Sequence, residues 1–87
     1  MSRRVVAVDA FYESLALLDD SEENVRVVTA LLLRAATRPE NTAPLPGLHM
    51  RVLASRSKGP LPALRLFYWI GDENVYLLWI EHYDELA

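Results

Sequence analysis

The sequence has no cysteine, and that absence excludes both a disulfide framework and a thiolate metal site. A chain of 87 residues therefore has to be held by packing alone, near the lower end of the size at which one hydrophobic core suffices. Long apolar runs are missing too. Although 52% of the residues are hydrophobic, no stretch approaches the roughly 20 residues that span a bilayer, and no apolar segment of signal-peptide type follows Arg3 and Arg4. These absences predict one domain over residues 1–87, in the reducing cytoplasm and without membrane association. With only three glycines there is no glycine-rich phosphate loop, and no Gly-x-Ser-x-Gly elbow or His-x-x-x-His spacing is present. His49 and His82 are the only imidazoles, so no metal and no cofactor is expected.

Acidic residues are absent from one region only. Residues 1–40 hold seven acids and five arginines, and residues 72–87 hold five acids and no base. Residues 41–71 contain no acid while carrying Arg51, Arg56, Lys58 and Arg65. The net charge of −3 argues against a general nucleic-acid binder. A positive middle can still act locally, because salt screens charge over about 8–10 Å. Two readings stay open: the four cations form a local anion site, or they only solvate a loop and two strands.

Periodicity supplies the elements. Arg3 to Val8 is short and β-branched, which predicts a strand, and Asp9 reads as the cap of a following helix. Phe11, Leu15 and Leu18 recur at helical spacing up to Asp19-Asp20. Asp20 with Glu23 has the form of a capping box for a second helix, with Val25, Val28, Leu32 and Ala35 as its apolar stripe, Leu31 and Ala36 widening it, and Pro39 as its stop. Residues 41–47, with Pro44 and Pro46, read as a loop. Three β-like stretches follow at Leu48–Ala54, Leu64–Ile70 and Val75–Ile80. A mobile loop at 57–63 separates the first two, and the turn Gly71-Asp72-Glu73-Asn74 joins the last two. The fold class is thus α+β: an N-terminal strand, a two-helix hairpin and a three-stranded antiparallel sheet.

Alternation places Leu64, Leu66, Tyr68 and Ile70 on the helix-facing side of the middle strand and Arg65, Phe67 and Trp69 on the other. In the last strand it groups Val75 with Leu77 and Trp79, and Tyr76 with Leu78 and Ile80. Two helices cover one side of such a sheet, so the side carrying Phe67 and Trp69 is expected to bind a partner or a second copy of the chain. The alternative is that the loops at 41–47 and 57–63 fold over it.

The element order, the segment from Leu64 to Ile80 with its Arg65-Leu66-Phe67-Tyr68 core and acidic turn, and the tail Glu81-His82-Tyr83-Asp84-Glu85-Leu86-Ala87 resemble the RelE/ParE toxins of bacterial type II toxin–antitoxin systems. The resemblance covers most of the chain as an architecture and only residues 64–87 as a motif. It implies a toxin whose partner is a cognate antitoxin, and for members that cleave messenger RNA on the ribosome it implies a site. Arg65 would stabilise the charge on the scissile phosphate, His82 or Tyr83 would transfer protons, and Arg51, Arg56 and Lys58 would hold flanking RNA. Three positions depart from the family's ending, Glu81, Tyr83 and Ala87 standing where glycine, arginine and tyrosine are common. The other reading the resemblance allows is a non-catalytic binding module of the same fold, either a topoisomerase inhibitor or a degenerate toxin that binds only an antitoxin or itself.

Overall fold

In the computed structural model, which describes residues 3–85, Val5 and Val6 lie in strand β1 (Arg4–Ala7). Helices α1 (Asp9–Leu17) and α2 (Glu22–Thr37) follow, then a single 3₁₀ turn at Pro39–Asn41, and then strands β2 (Met50–Ala54), β3 (Leu64–Ile70) and β4 (Asn74–His82). The α+β class and the order of elements agree with the sequence. The sheet differs. It has four strands in the order β1-β4-β3-β2, and β1 runs parallel to β4 while the other pairs are antiparallel. The N-terminal strand therefore joins the expected three-stranded unit, and the sheet is mixed. The two helices supply the crossover that a parallel pair requires.

The helix ends also correct the sequence reading. Val8, not Asp9, is the N-cap of α1, and Asp9 is its first helical residue. Ser21, not Asp20, caps α2: its hydroxyl accepts from the Asn24 amide at 3.2 Å. Asn24 is buried, and its side-chain amide donates to the carbonyl and the carboxylate of Asp19, both at 3.1 Å. This polar knot turns the chain between the helices. It also rotates α2 from the expected stripe, so that Asn24, Val27, Leu31 and Ala35 face inward, Val28 and Leu32 flank them, and Val25 faces solvent. Helix α2 already ends at Thr37, with Arg38 as C-cap, and Pro39 opens the 3₁₀ turn.

The core lies between the helices and one face of the sheet. Leu64, Leu66 and Tyr68 of β3 are wholly enclosed and meet Phe11, Val27, Leu31, Leu53, Val75, Leu77 and Ile80. Tyr68 reaches through this layer to donate its hydroxyl to the Pro39 carbonyl at 2.7 Å, tying the centre of the sheet to the end of α2. The 57–63 loop, expected to be mobile, is closed by a pair of backbone bonds between Lys58 and Leu61 at 2.9–3.0 Å. Gly59 there has φ +56, a conformation that favours glycine. Ser55 Oγ accepts from the Leu64 amide at 2.9 Å and anchors the base of the loop.

One irregularity decides the outer face. The β3–β4 register runs Leu66–Ile80 and Phe67–Trp79, then jumps to Tyr68–Leu77, which leaves Leu78 without a partner on β3. Such a bulge flips the alternation of the strand. Val75, Leu77 and Ile80 consequently face the helices, whereas Tyr76, Trp79 and Glu81 share the open side. The strict alternation read from the sequence fails beyond Leu77 for this reason.

Candidate functional site

The bulge brings together a polar cluster on the open side of the sheet. Arg65 and Glu81 are direct cross-strand partners, and such pairs are close neighbours on one face. Arg65 Nε donates to Glu81 Oε2 at 2.7 Å, and a terminal guanidinium nitrogen lies 2.6 Å from the same oxygen. The other carboxylate oxygen accepts from the Trp79 indole at 2.9 Å. The guanidinium also sits 5.6 Å from the centroids of both the Phe67 and Tyr83 rings. Aromatic faces attract cations at this distance. Both charged side chains remain between a third and a half exposed, so the ion pair contributes at most about 1 kcal/mol to stability. Its larger consequence is chemical: the Arg65 charge already has a counterion.

The three residues assigned to catalysis divide between two sides of the sheet. Arg65 and Tyr83 meet in the cluster, and the Tyr83 hydroxyl donates to the Ser55 carbonyl at 2.7 Å. His82 is the cross-strand partner of Leu64, which faces the helices, so His82 projects to the other side at the sheet's end. There it is exposed and within electrostatic reach of Asp19. The Asp19 carboxyl is held below the usual range, first by its hydrogen bonds from Ser21 and to a smaller extent by His82.

The residues assigned to RNA binding separate as well. Arg51 lies opposite Tyr68, on the helix side of β2, and donates to the carbonyls of Glu40, at 3.4 Å, and Thr42. It secures the segment after α2 to the sheet, away from Arg65. Arg56 and Lys58 are exposed on the β2–β3 connection and border a hollow against α2. Arg3, at the opposite edge, pairs with Glu40 and donates to the Gly71 carbonyl at 3.2 Å.

Of the two residues assigned to partner binding, Phe67 is half-buried beneath Arg65, and Trp69 remains 43% exposed. Trp69 stacks on Tyr76 with ring centroids 5.3 Å apart and planes at 25°. Among the described residues no loop encloses Trp69, so the side of the sheet opposite the helices stays accessible there. Beside the 57–63 loop, Glu85 accepts from the Ser57 amide at 2.6 Å and from its hydroxyl. These bonds hold the Glu85 carboxyl below its ordinary range, with a smaller contribution from Arg56.

Sequence reasoning placed Arg65 and Trp69 on one side of β3 but missed what surrounds them. Trp79 could not be assigned there without the bulge, whereas Tyr76, paired with Trp69 on the hairpin side of it, follows plain alternation. Glu81 was visible as a departure from the family's ending, though not as the counterion of Arg65. Among the described residues no group of three or more His, Cys, Asp or Glu side chains could hold a metal, and no helix is long and apolar enough to cross a membrane. Compared with known proteins, the chain matches no family model and no curated protein.

Proposed function

We propose that the chain is a toxin-like component of a bacterial type II toxin–antitoxin pair, of the RelE/ParE kind, and that it acts by binding a partner protein rather than by cutting RNA. The order of elements and the ending from Leu64 onward support the family. The Arg65–Glu81 ion pair carries the choice of binding over cleavage. A guanidinium that stabilises a reacting phosphate offers its fork of donors to the phosphate oxygens. Here two of those donors converge on one carboxylate oxygen. A phosphate would have to displace Glu81 and then lie beside its charge, and like charges at such range oppose one another. The separation of His82 from Arg65 across the sheet favours the same reading. The uncovered Trp69–Tyr76 stack offers the contact surface, and the cognate antitoxin is the partner the resemblance implies.

A second reading, ribosome-dependent mRNA cleavage, draws on the meeting of Arg65 with Tyr83. Inducible expression in a bacterial host distinguishes the two, with growth followed, transcript ends mapped and co-purifying proteins identified. Binding without cleavage predicts intact transcripts and stable co-purification with the product of an adjacent small gene. New in-frame ends on translated messages, lost in Arg65→Ala, would overturn it in favour of the nuclease.

A further inference from the structure

The β3–β4 hairpin ends in a hollow of about 640 Å³ whose walls include Trp69, Tyr76, Asp72, Glu73 and His49. Trp69 and Tyr76 are cross-strand partners, and their rings stack with centroids 5.3 Å apart and planes at 25°. The turn fixes the Tyr76 ring from two sides. Gly71 has no side chain, so the ring edge comes to 3.1 Å from where a Cβ would stand, and Asn74 Nδ2 donates to the Tyr76 hydroxyl at 3.0 Å. Each ring covers one face of the other, and the exposed Trp69 keeps flat aromatic surface open to solvent. Asp72 and Glu73 are exposed on the turn, and neither makes an ion pair among the described residues. No arginine or lysine lines the hollow. Of the two nearest, Arg3 donates to the Gly71 carbonyl and is paired with Glu40, and Arg4 lies on β1 opposite Asn74. Aromatic faces attract cations, and carboxylates without counterions add to that attraction.

We propose that this hollow receives an arginine side chain of a partner polypeptide, its guanidinium flat against Trp69 and paired with Asp72 or Glu73. The proposal rests on the partner-binding reading above, in which the stack is a contact surface, and adds the chemical group that the surface recognises. The arrangement of the rings selects a planar cation. A guanidinium stacks on a single aromatic face, whereas a quaternary ammonium is held by rings set around it, and here the two rings lie on each other. The fork of guanidinium donors also matches a carboxylate in bidentate geometry, which the point charge of lysine does not. A nucleobase could stack on the same rings, but the phosphate that accompanies it would lie beside two like charges. The volume exceeds what one guanidinium fills, so the residues that flank the arginine have room beside it.

The test follows the two indole N–H resonances of the full chain, from Trp69 and Trp79, assigned with the Trp69→Leu variant. The ligands are a capped pentapeptide with arginine among alanines, its counterparts with lysine and with citrulline, and capped arginine alone. The arginine peptide is expected to shift Trp69 and to leave Trp79, held by Glu81, in place. Lysine should bind about threefold or more weakly, and citrulline, neutral and nearly the same shape, should not bind. Asp72→Asn combined with Glu73→Gln, both at exposed positions, should raise Kd by about fivefold or more. Glu13→Gln, on α1 across the sheet, should leave it within about twofold. Backbone amide dispersion confirms that each variant is folded. A static Trp69 signal, citrulline bound as well as arginine, or equal loss in the acid variants and Glu13→Gln would each overturn the proposal. Capped arginine bound as tightly as the peptide would overturn its polypeptide source. Arginine binding at Trp69 without any growth effect or co-purifying protein would keep the site and remove the toxin reading. A growth effect with a static Trp69 signal would do the reverse.

Discussion

Ser14→Ala is expected to destabilise the protein far more than a surface serine substitution normally does. Strand β4 has nine residues and β1 only four, so β1 pairs with it no further than Leu77. Beyond that point the outer edge of β4 turns into the core beneath α1, and the Ile80 amide needs an acceptor that no strand provides. Ser14 supplies it. Its Oγ accepts from Ile80 N at 2.9 Å and donates to the Phe11 carbonyl at 2.7 Å, and Ser14 and Ile80 are each only 1% exposed. Alanine removes one oxygen and creates no sizeable cavity, so the cost is that of a buried amide left unsatisfied, about 1–3 kcal/mol. In a domain of this size each kcal/mol lowers Tm by roughly 4–8 °C. A central loss of about 2 kcal/mol therefore corresponds to a fall of roughly 8–16 °C in a calorimetric or circular dichroism melt. Ser14→Thr is no substitute control, because its extra methyl overpacks the site. Ser57→Ala, on the surface, is the fair comparison and should change stability within about 0.5 kcal/mol. A fall of less than about 2 °C for Ser14→Ala would refute the reasoning by showing that the Ile80 amide finds another partner.

The rotation of α2 predicts that Val27→Ala costs about 1–3 kcal/mol in chemical denaturation while Val25→Ala, at a position 52% exposed, changes stability within about 0.5 kcal/mol. The reverse order would restore the stripe read from the sequence. Tyr68→Phe removes the only hydroxyl that reaches the Pro39 carbonyl from β3 and should cost about 1–2 kcal/mol in the same assay, with no loss of ring packing. In an NMR pH titration, Glu85 should titrate below the ordinary glutamate value of 4.5, and Ser57→Ala should return its midpoint partway, the Ser57 amide bond remaining. Since the folded-state value is depressed, whatever this bond contributes to stability is present above the unfolded carboxylate range and lost as pH falls through the folded value.

The middle of the sheet was legible because β3 obeys the simplest rule in the chain. Leu64, Leu66 and Tyr68 alternate with Arg65, Phe67 and Trp69, and the core takes the first set without exception. Where the reading failed, a local rule met a non-local one. Val25 fits an apolar stripe as well as Val27 does, and only the burial of Asn24 against Asp19 selects the rotation. The parallel pairing of β1 with β4 joins segments some 70 residues apart, and nothing in either segment's own pattern encodes it. Ser14 has the composition of a helix surface, and its role exists only because β1 is shorter than β4.

The same bulge that hid part of the fold also sets the character of the site. Without the extra residue at Leu78, Glu81 would face the helices and Arg65 would stand without its counterion on an aromatic surface. Arg65 is thus a cation made unavailable by register rather than by burial, and removing the carboxylate's charge alone should release it. Glu81→Gln keeps the shape and the Trp79 hydrogen bond while withdrawing the charge, and at this exposure it should alter stability by no more than about 1 kcal/mol. In a spectrum that resolves the Arg65 Nε–H, added inorganic phosphate should shift that resonance in Glu81→Gln and leave it in place in the wild type. The Phe67 and Tyr83 rings that flank the guanidinium would then line the released anion site. A phosphate response equal in both proteins would mean that Glu81 exchanges readily for a ligand. The open face would then be an anion site as it stands, and the argument from the ion pair against cleavage would fall with it.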